Sequence, residues 1–497
     1  MQLVLKILFK AFPRLLRSKA PRNDGEGGMT TPPARHCEAL KEPKQSRKSI
    51  KLIYLFAIIL LLLPIKLSAK EDSLLRDAEI EDVLKSYINP IFEVAGLNPK
   101  SLHLYIVNSK DVNAMAMGGG HIAINTGLLL RATSALQVIS VLAHETAHLA
   151  DNHIMRGIDA YEKALLQGLL GTLGGVGAIL AGSPEAGLAI LMSSQHLAER
   201  GLLKFSRMQE GSADQGAARF LDKLGWSSLG MVEFMDLLRK DDLLSEQFID
   251  PYVLTHPLNS ERIDFFRSHF NRSPHAKAQL PADFEDNFKR IQVKITAFTL
   301  NPAKTFARFK PTDSSLLARY GRAIAYFKNS QLNESFAEID SLLKDYPQDP
   351  FFWDLKGQIL FETGKIQDAT KAYEKAVELR PDLPLLRVSY AHALIESGDK
   401  NKLEKAFSEL LRAKTEEPDN PFTHRLLAVY YGKKGETGLA ALYLAEMSLG
   451  VGDLATAEQQ AKRALHFLKN DSANLSRAKD IMEEIKREKA LESSWGL

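Results

Sequence analysis

Three coincident spacings constrain the second half of this chain: Pro347 to Pro381, Pro350 to Pro384 and Gly364 to Gly398 are each 34 residues. A fixed period of that length marks one supersecondary unit repeated, and such a unit buries its apolar face only by stacking on its neighbours. In the clearest unit, Trp353, Gly357, Leu360, Ala369, Tyr373, Ala376 and Pro381 place large and small side chains where two helices must interlock. The next interval, Pro381 to Pro418 and Gly398 to Gly435, is 37 residues, so one unit carries three extra. The pattern predicts an α-solenoid over residues 313–489, with degenerate units near 315–347 and 420–467 and a polar capping helix at 471–489. A stack of this kind has a concave surface suited to peptide segments, and it does no chemistry.

Chemistry has to come from the chain ahead of the repeats. His144-Glu145-Thr146-Ala147-His148 lies inside an apolar run from Ala135 to Ala150. Residues four apart on a helix share a face, so both imidazoles can reach one metal ion while Glu145 stands beside them. Two histidines and a carboxylate among Val138, Ile139, Val141 and Leu142 are costly to bury unless a metal or a hydrogen-bond network compensates them. Sixty-two residues beyond His148, Arg207, Glu210 and Asp214 fall on one face of a second predicted helix. Glu210 is then a third ligand, Asp214 an acceptor for a ligand histidine's free N–H, and Arg207 a partner for either carboxylate. Taken alone, the segment also reads as an exposed helix with internal charge pairs.

Together these residues resemble the zinc endopeptidases related to the CAAX prenyl proteases. The pattern of that family is H-E-x-x-H followed by S-R-x-x-E-x-x-A-D, here Ser206-Arg207-x-x-Glu210-x-x-Ala213-Asp214. Asn113-Ala114-Met115-Ala116-Met117-Gly118-Gly119 with Ile124-Asn125-Thr126-Gly127 resembles its strands before the metal helix, and Thr255-His256-Pro257 with Glu261-Arg262-Ile263 its downstream segment. The resemblance covers residues 72–270 and implies a zincin-like α+β domain with a small β-sheet, at 70–300, in a mainly α chain. It implies one Zn2+ per chain on His144, His148 and Glu210, with Glu145 and Asp214 as catalytic residues, Glu145 as the base, and Arg207 and Asp214 supporting the ligands from behind. Asn113, Ala114, Gly118 and Gly119 are expected on an edge strand that pairs with an extended substrate. The resemblance further implies that His256 fills the fourth metal position in a resting state; a hydrogen-bond donor to the transition state and a plain turn residue are the alternatives. His153, five residues past His148, is expected well round the helix from the ligands.

The leader sets the compartment. Lys48-Ser49-Ile50-Lys51, an apolar core at 52–65 and Leu67-Ser68-Ala69 are the three parts of a secretory signal. Its 14 apolar residues fall short of the roughly 20 needed to span a bilayer. Cleavage after Ala69 and a periplasmic enzyme are expected, with residues 1–69 an extension plus signal. Those residues hold 13 basic and 4 acidic side chains, so a chain of net charge +3 becomes −6 without them. The apparent basicity leaves with the leader, and with it the case for a nucleic-acid partner. The one cysteine, Cys37, lies there too, so no disulfide framework is expected. Residues 164–184 lack Lys and Arg and are broken by six glycines, which reads as a helical hairpin working as a lid over the cleft, with a membrane span as the alternative.

Signal, zinc protease and repeat stack, in that order, are similar to periplasmic proteases that monitor outer-membrane β-barrel proteins. That similarity implies unfolded or stalled protein substrates and repeats that dock on the barrel assembly machinery or on a client; peripheral membrane association is a separate expectation. Two other readings are a periplasmic chaperone or adaptor with structural zinc, and a protease anchored in the inner membrane. Glu145 favours the enzyme, since a structural site has no use for a base beside an open position.

Overall fold

The computed structural model describes residues 73–180, 184–244 and 251–494; the leader and its expected cleavage site lie outside them. Its sheet has four strands in the order β1-β2-β4-β3, where β1 is Ser73–Leu75, β2 His103–Asn108, β3 Ala114–Ala116 and β4 His121–Asn125. The β2–β4 pair is parallel and the other two are antiparallel. Gly118, Gly119 and Gly120, all with φ between 61° and 85°, make the turn from β3 to β4. A Cβ on Gly120 would stand 2.2 Å from the Ser101 carbonyl oxygen, so only glycine fits there. β3 is an edge of the sheet, as expected of the segment containing Ala114.

Helices α1 (Ala78–Val94), α2 (Thr126–Arg131) and α3 (Ala135–Ala150) surround the sheet. Ser134 caps α3 by accepting from the Gln137 amide, and from there to His148 only Leu136 escapes burial. α4 (His153–Leu180) and α5 (Pro184–Leu224) form a long antiparallel hairpin. α6 (Leu229–Leu244), α7 (Pro251–Thr255) and α8 (Ser260–Arg272) close the core behind α3. Contact with α3 is tight: a Cβ on Gly230 of α6 would lie 2.3 Å from the Leu136 carbonyl oxygen.

α9 (Ala282–Thr299) joins the halves. Its Phe284, Phe288, Ile291 and Ile295 enter the core beside the sheet, while Val293 and Ala297 enter the core of the first repeat. Residues 273–280 and 301–312 suggest a loose linker by composition, but the helix between them belongs to both cores. Polar contacts reinforce the junction. Lys294 reaches Asp77 at 2.7 Å and Glu79 at 3.1 Å, the Tyr320 hydroxyl donates to Glu79 at 2.6 Å, and Arg380 pairs with Asp82 at 2.8 Å. Arg290 forks onto Asp349 and lies 4.3 Å from the Phe352 ring centre.

After α10 (Pro302–Arg308), the repeats run as the pairs α11 (Leu316–Lys328) with α12 (Leu332–Asp345), α13 (Pro350–Glu362) with α14 (Ile366–Leu379), and α15 (Pro384–Glu396) with α16 (Lys400–Glu416). α17 (Pro421–Lys433) with α18 (Thr437–Val451), then α19 (Leu454–Phe467) and α20 (Ser472–Ser494), complete the stack. The periodic residues have periodic jobs. Pro350, Pro384 and Pro421 occupy the first turns of α13, α15 and α17, where the missing N–H costs nothing. Gly364, Gly398 and Gly435, at φ 78°, 69° and 78°, make the turns that follow. Gly357 lets α13 close on the Tyr373 ring of α14.

Candidate metal centre

α3 presents His144 and His148 one turn apart, with ring centroids 4.7 Å from each other and nearly perpendicular planes. α5 brings Glu210 across, Oε2 lying 3.4 Å from His144 Nε2 and Oε1 3.3 Å from His148 Nε2. The end of α7 adds His256, whose Nδ1 is 3.4 Å from His144 Nε2 and 3.2 Å from both Glu210 oxygens. Donor atoms of all four buried residues lie within 4.8 Å of one another, a group that can hold one metal ion. The donor chemistry fits zinc, for which two histidines and a glutamate are a known catalytic set.

Glu145 points at the same space without joining the donor group. Its Oε2 accepts the Ala116 amide of β3 at 2.8 Å. Its Oε1 is buried with no hydrogen-bond partner, 3.4 Å from His256 Nε2. A buried carboxylate oxygen without a hydrogen bond is costly, and this one faces only an imidazole at ion-pair distance.

Behind the donors, Asp214 Oδ1 lies 3.0 Å from His144 Nδ1. That contact helps orient the His144 ring, with Nε2 turned toward Glu210 and His256. Burial disfavours protonation of His144, but Asp214 and Glu210 outweigh it and hold its pKa up at about 9. Burial would raise Glu210, yet hydrogen bonds from His144, His148 and His256 hold it far below the usual carboxylate range. Carboxylates and imidazoles thus stabilise each other's charged forms within the buried cluster.

Two expectations need correction. Arg207 does not reach the carboxylates: it is exposed, and its Nε donates to the Leu203 carbonyl of its own helix at 3.4 Å. The core-packed part of α5 begins near Glu210, so one turn earlier that face already meets solvent. The arginine on the site is Arg262 of α8, which forks onto Asp214 at 2.6 and 2.9 Å and reaches Glu210 Oε2 at 2.9 Å. His153 is not remote either. α3 stops at Ala150, and Asn152 at φ 55° turns the chain so that His153 Nδ1 comes 3.0 Å from His148 Nδ1. Counting it along an unbroken helix misplaced it. It remains outside the donor group, buttressing His148, with its carbonyl accepting from Gln209 at 2.6 Å.

The expected substrate residues divide. Ala114 lies on β3, Asn113 just before it, and Gly118 and Gly119 in the turn beyond. Gly118, Gly119, His148, Leu149 and Asn152 line one cavity of about 190 Å³, so turn and metal helix share an opening. Tyr252, which no motif marks, lays its ring 4.7 Å from that of His256.

Residues 75–269 match the profile of peptidase family M48. The chain carries a peptidase family M48 domain. Residues 328–453 match the profile of the cytochrome c-type biogenesis protein H TPR domain, so the solenoid is a tetratricopeptide-repeat (TPR) stack. Among relatives, the beta-barrel assembly-enhancing protease of Yersinia pestis is 25% identical over 328 residues, covering 64% of this chain and 66% of that protein. Its Escherichia coli K12 namesake is 25% identical over 304 residues, covering 60% of this chain and 61% of that protein. The matches thus span just under two thirds of those relatives' lengths. An M48 domain is a metallopeptidase domain, and the fold expected from the motifs, a mainly helical protease with a small sheet followed by TPRs, is the one found.

Proposed function

We propose that this protein is a zinc-dependent endopeptidase of the periplasm that hydrolyses misfolded or stalled proteins during outer-membrane β-barrel assembly. One observation carries the enzymatic reading: the bare Oε1 of Glu145 beside the buried donors His144, His148 and Glu210. Relatives named for barrel assembly and a signal-like leader support the setting.

His144, His148 and Glu210 would hold the ion, which supplies Lewis acidity to a water and to the scissile carbonyl. Glu145 Oε1 takes the proton of the attacking water and delivers it to the leaving amide nitrogen. Asp214 and Arg262 keep His144 and Glu210 in their orientations through that exchange. The outer edge of β3 pairs with an extended substrate, and the three-glycine turn lets its backbone come close. His256, placed among the donors, occupies the room a water needs, so the resting site is closed until α7 withdraws. The TPR stack docks clients or the barrel assembly machinery.

The test is cleavage of an unfolded reporter protein alongside zinc stoichiometry. One zinc per chain, loss of cleavage on chelation and return with added zinc are expected; cleavage indifferent to metal overturns the reading.

A further inference from the structure

The α4–α5 hairpin is built inside out for a water-soluble element. Between Lys163 and Glu199 the sequence holds one acidic residue, Glu185, and no Lys or Arg. The large apolar side chains of that stretch face outward: Leu169 is 56% exposed, Leu173 61% and Leu197 68%. The closest approach between the two helices is made by small residues. A Cβ added to Gly171 would meet the Ser194 side chain at 2.1 Å, and one on Gly174 would lie 3.8 Å from Ile190. In water, two helices join by burying their leucines against each other. Helices in lipid join through glycines and serines that let backbones approach, and leave leucine outside, because hydrocarbon is as apolar as leucine.

We propose that the uncharged distal half of this hairpin inserts into the hydrocarbon of a lipid leaflet. The apolar exposure lies on both helices, where a protein groove would need a single stripe. Lys163 on α4 and Arg200 and Lys204 on α5 stand just below the uncharged part, where anionic headgroups would meet them; with Arg156 and Arg207 further down, five basic residues face three acidic ones, Asp159, Glu162 and Glu199, over the same stretch. The 17 uncharged residues of α4 from Ala164 to Leu180 give about 25 Å at 1.5 Å per residue. That is deep but short of a roughly 30 Å hydrocarbon core, and no described helix is long and apolar enough to cross a membrane. The hairpin enters and returns. His153 and Glu210 stand at its base, 11 and 12 residues from the uncharged part, so insertion holds the metal centre about 17 Å above the hydrocarbon at 1.5 Å per residue, where chains emerging at a membrane surface pass. The inference is independent of the peptidase reading.

The experiment uses the full chain with Cys37→Ser and a single new cysteine, Leu169→Cys or Leu173→Cys, carrying an environment-sensitive fluorophore. Vesicles of phosphatidylethanolamine and phosphatidylglycerol are added, with nitroxide quenchers on the acyl chains. A blue shift with quenching is expected at both positions, and none at the control Val451→Cys, which is 60% exposed on the repeats. Emission unchanged by vesicles overturns the proposal. So does a lipid-independent blue shift that grows with protein concentration, which would make the hairpin a self-association surface, or one that appears only with an unfolded protein. The leader's own apolar stretch does not confuse the result, because the probe reports the hairpin alone.

Discussion

Glu145→Gln separates metal holding from proton transfer. The side chain is buried, and its anchoring contact is a hydrogen bond accepted from the Ala116 amide at 2.8 Å. Glutamine keeps an acceptor oxygen there and turns its amide group toward His256, so shape and β3 contact survive. Lost is the oxygen that takes the proton. General-base catalysis contributes roughly 10²–10⁴-fold, or about 3–5 kcal/mol of barrier at 1.36 kcal/mol per decade. kcat on an unfolded reporter should fall by that factor, with KM and bound zinc unchanged because Glu145 is outside the donor group. The assay is steady-state cleavage with zinc measured on the same preparation. A variant that keeps its metal and retains more than a tenth of the parental kcat would falsify the role.

His256→Ala opens the fourth position and should raise basal cleavage at unchanged zinc content; lower cleavage with zinc retained would instead make His256 part of the reaction. Arg262→Met strands the buried Asp214 and Glu210 carboxylates and should cost about 3–5 kcal/mol in denaturant unfolding under chelator. Arg262→Lys should recover only part of that, since an ammonium cannot fork across both partners; a Met variant as stable as the parent refutes the bridge. Gly230→Ala forces α6 off the Leu136 carbonyl and should lower stability by about 1–3 kcal/mol and weaken zinc binding through α3, whereas an unchanged melting point would show that α6 yields freely.

The repeats were legible because periodicity is a property of the chain itself. Pro350, Pro384 and Pro421 start helices, and Gly364, Gly398 and Gly435 take φ above 60°, for reasons local to each residue. His144 and His148 were legible for the same reason: helical spacing alone puts them on one face. Glu210 and Asp214 needed the pattern as a whole, since nothing local brings α5 to α3. Arg207 and His153 failed where local geometry was extended too far. The first assumed that one buried face continues along the whole of α5, and the second that α3 continues past Ala150.

By itself, then, the amino-acid order determined the elements and the side chains that each carries: a helix with two histidines and a glutamate, a carboxylate helix, a TPR stack and a hairpin of glycine and leucine. Tertiary structure decided the partners. It put Arg262 where Arg207 was expected, folded His153 back onto His148, brought His256 among the donors and made α9 common to both cores. The physical reason is range. Capping, turn conformation and helical phase act over a few residues, whereas an ion pair between positions 48 apart, such as Asp214 with Arg262, exists only after packing has removed both from water.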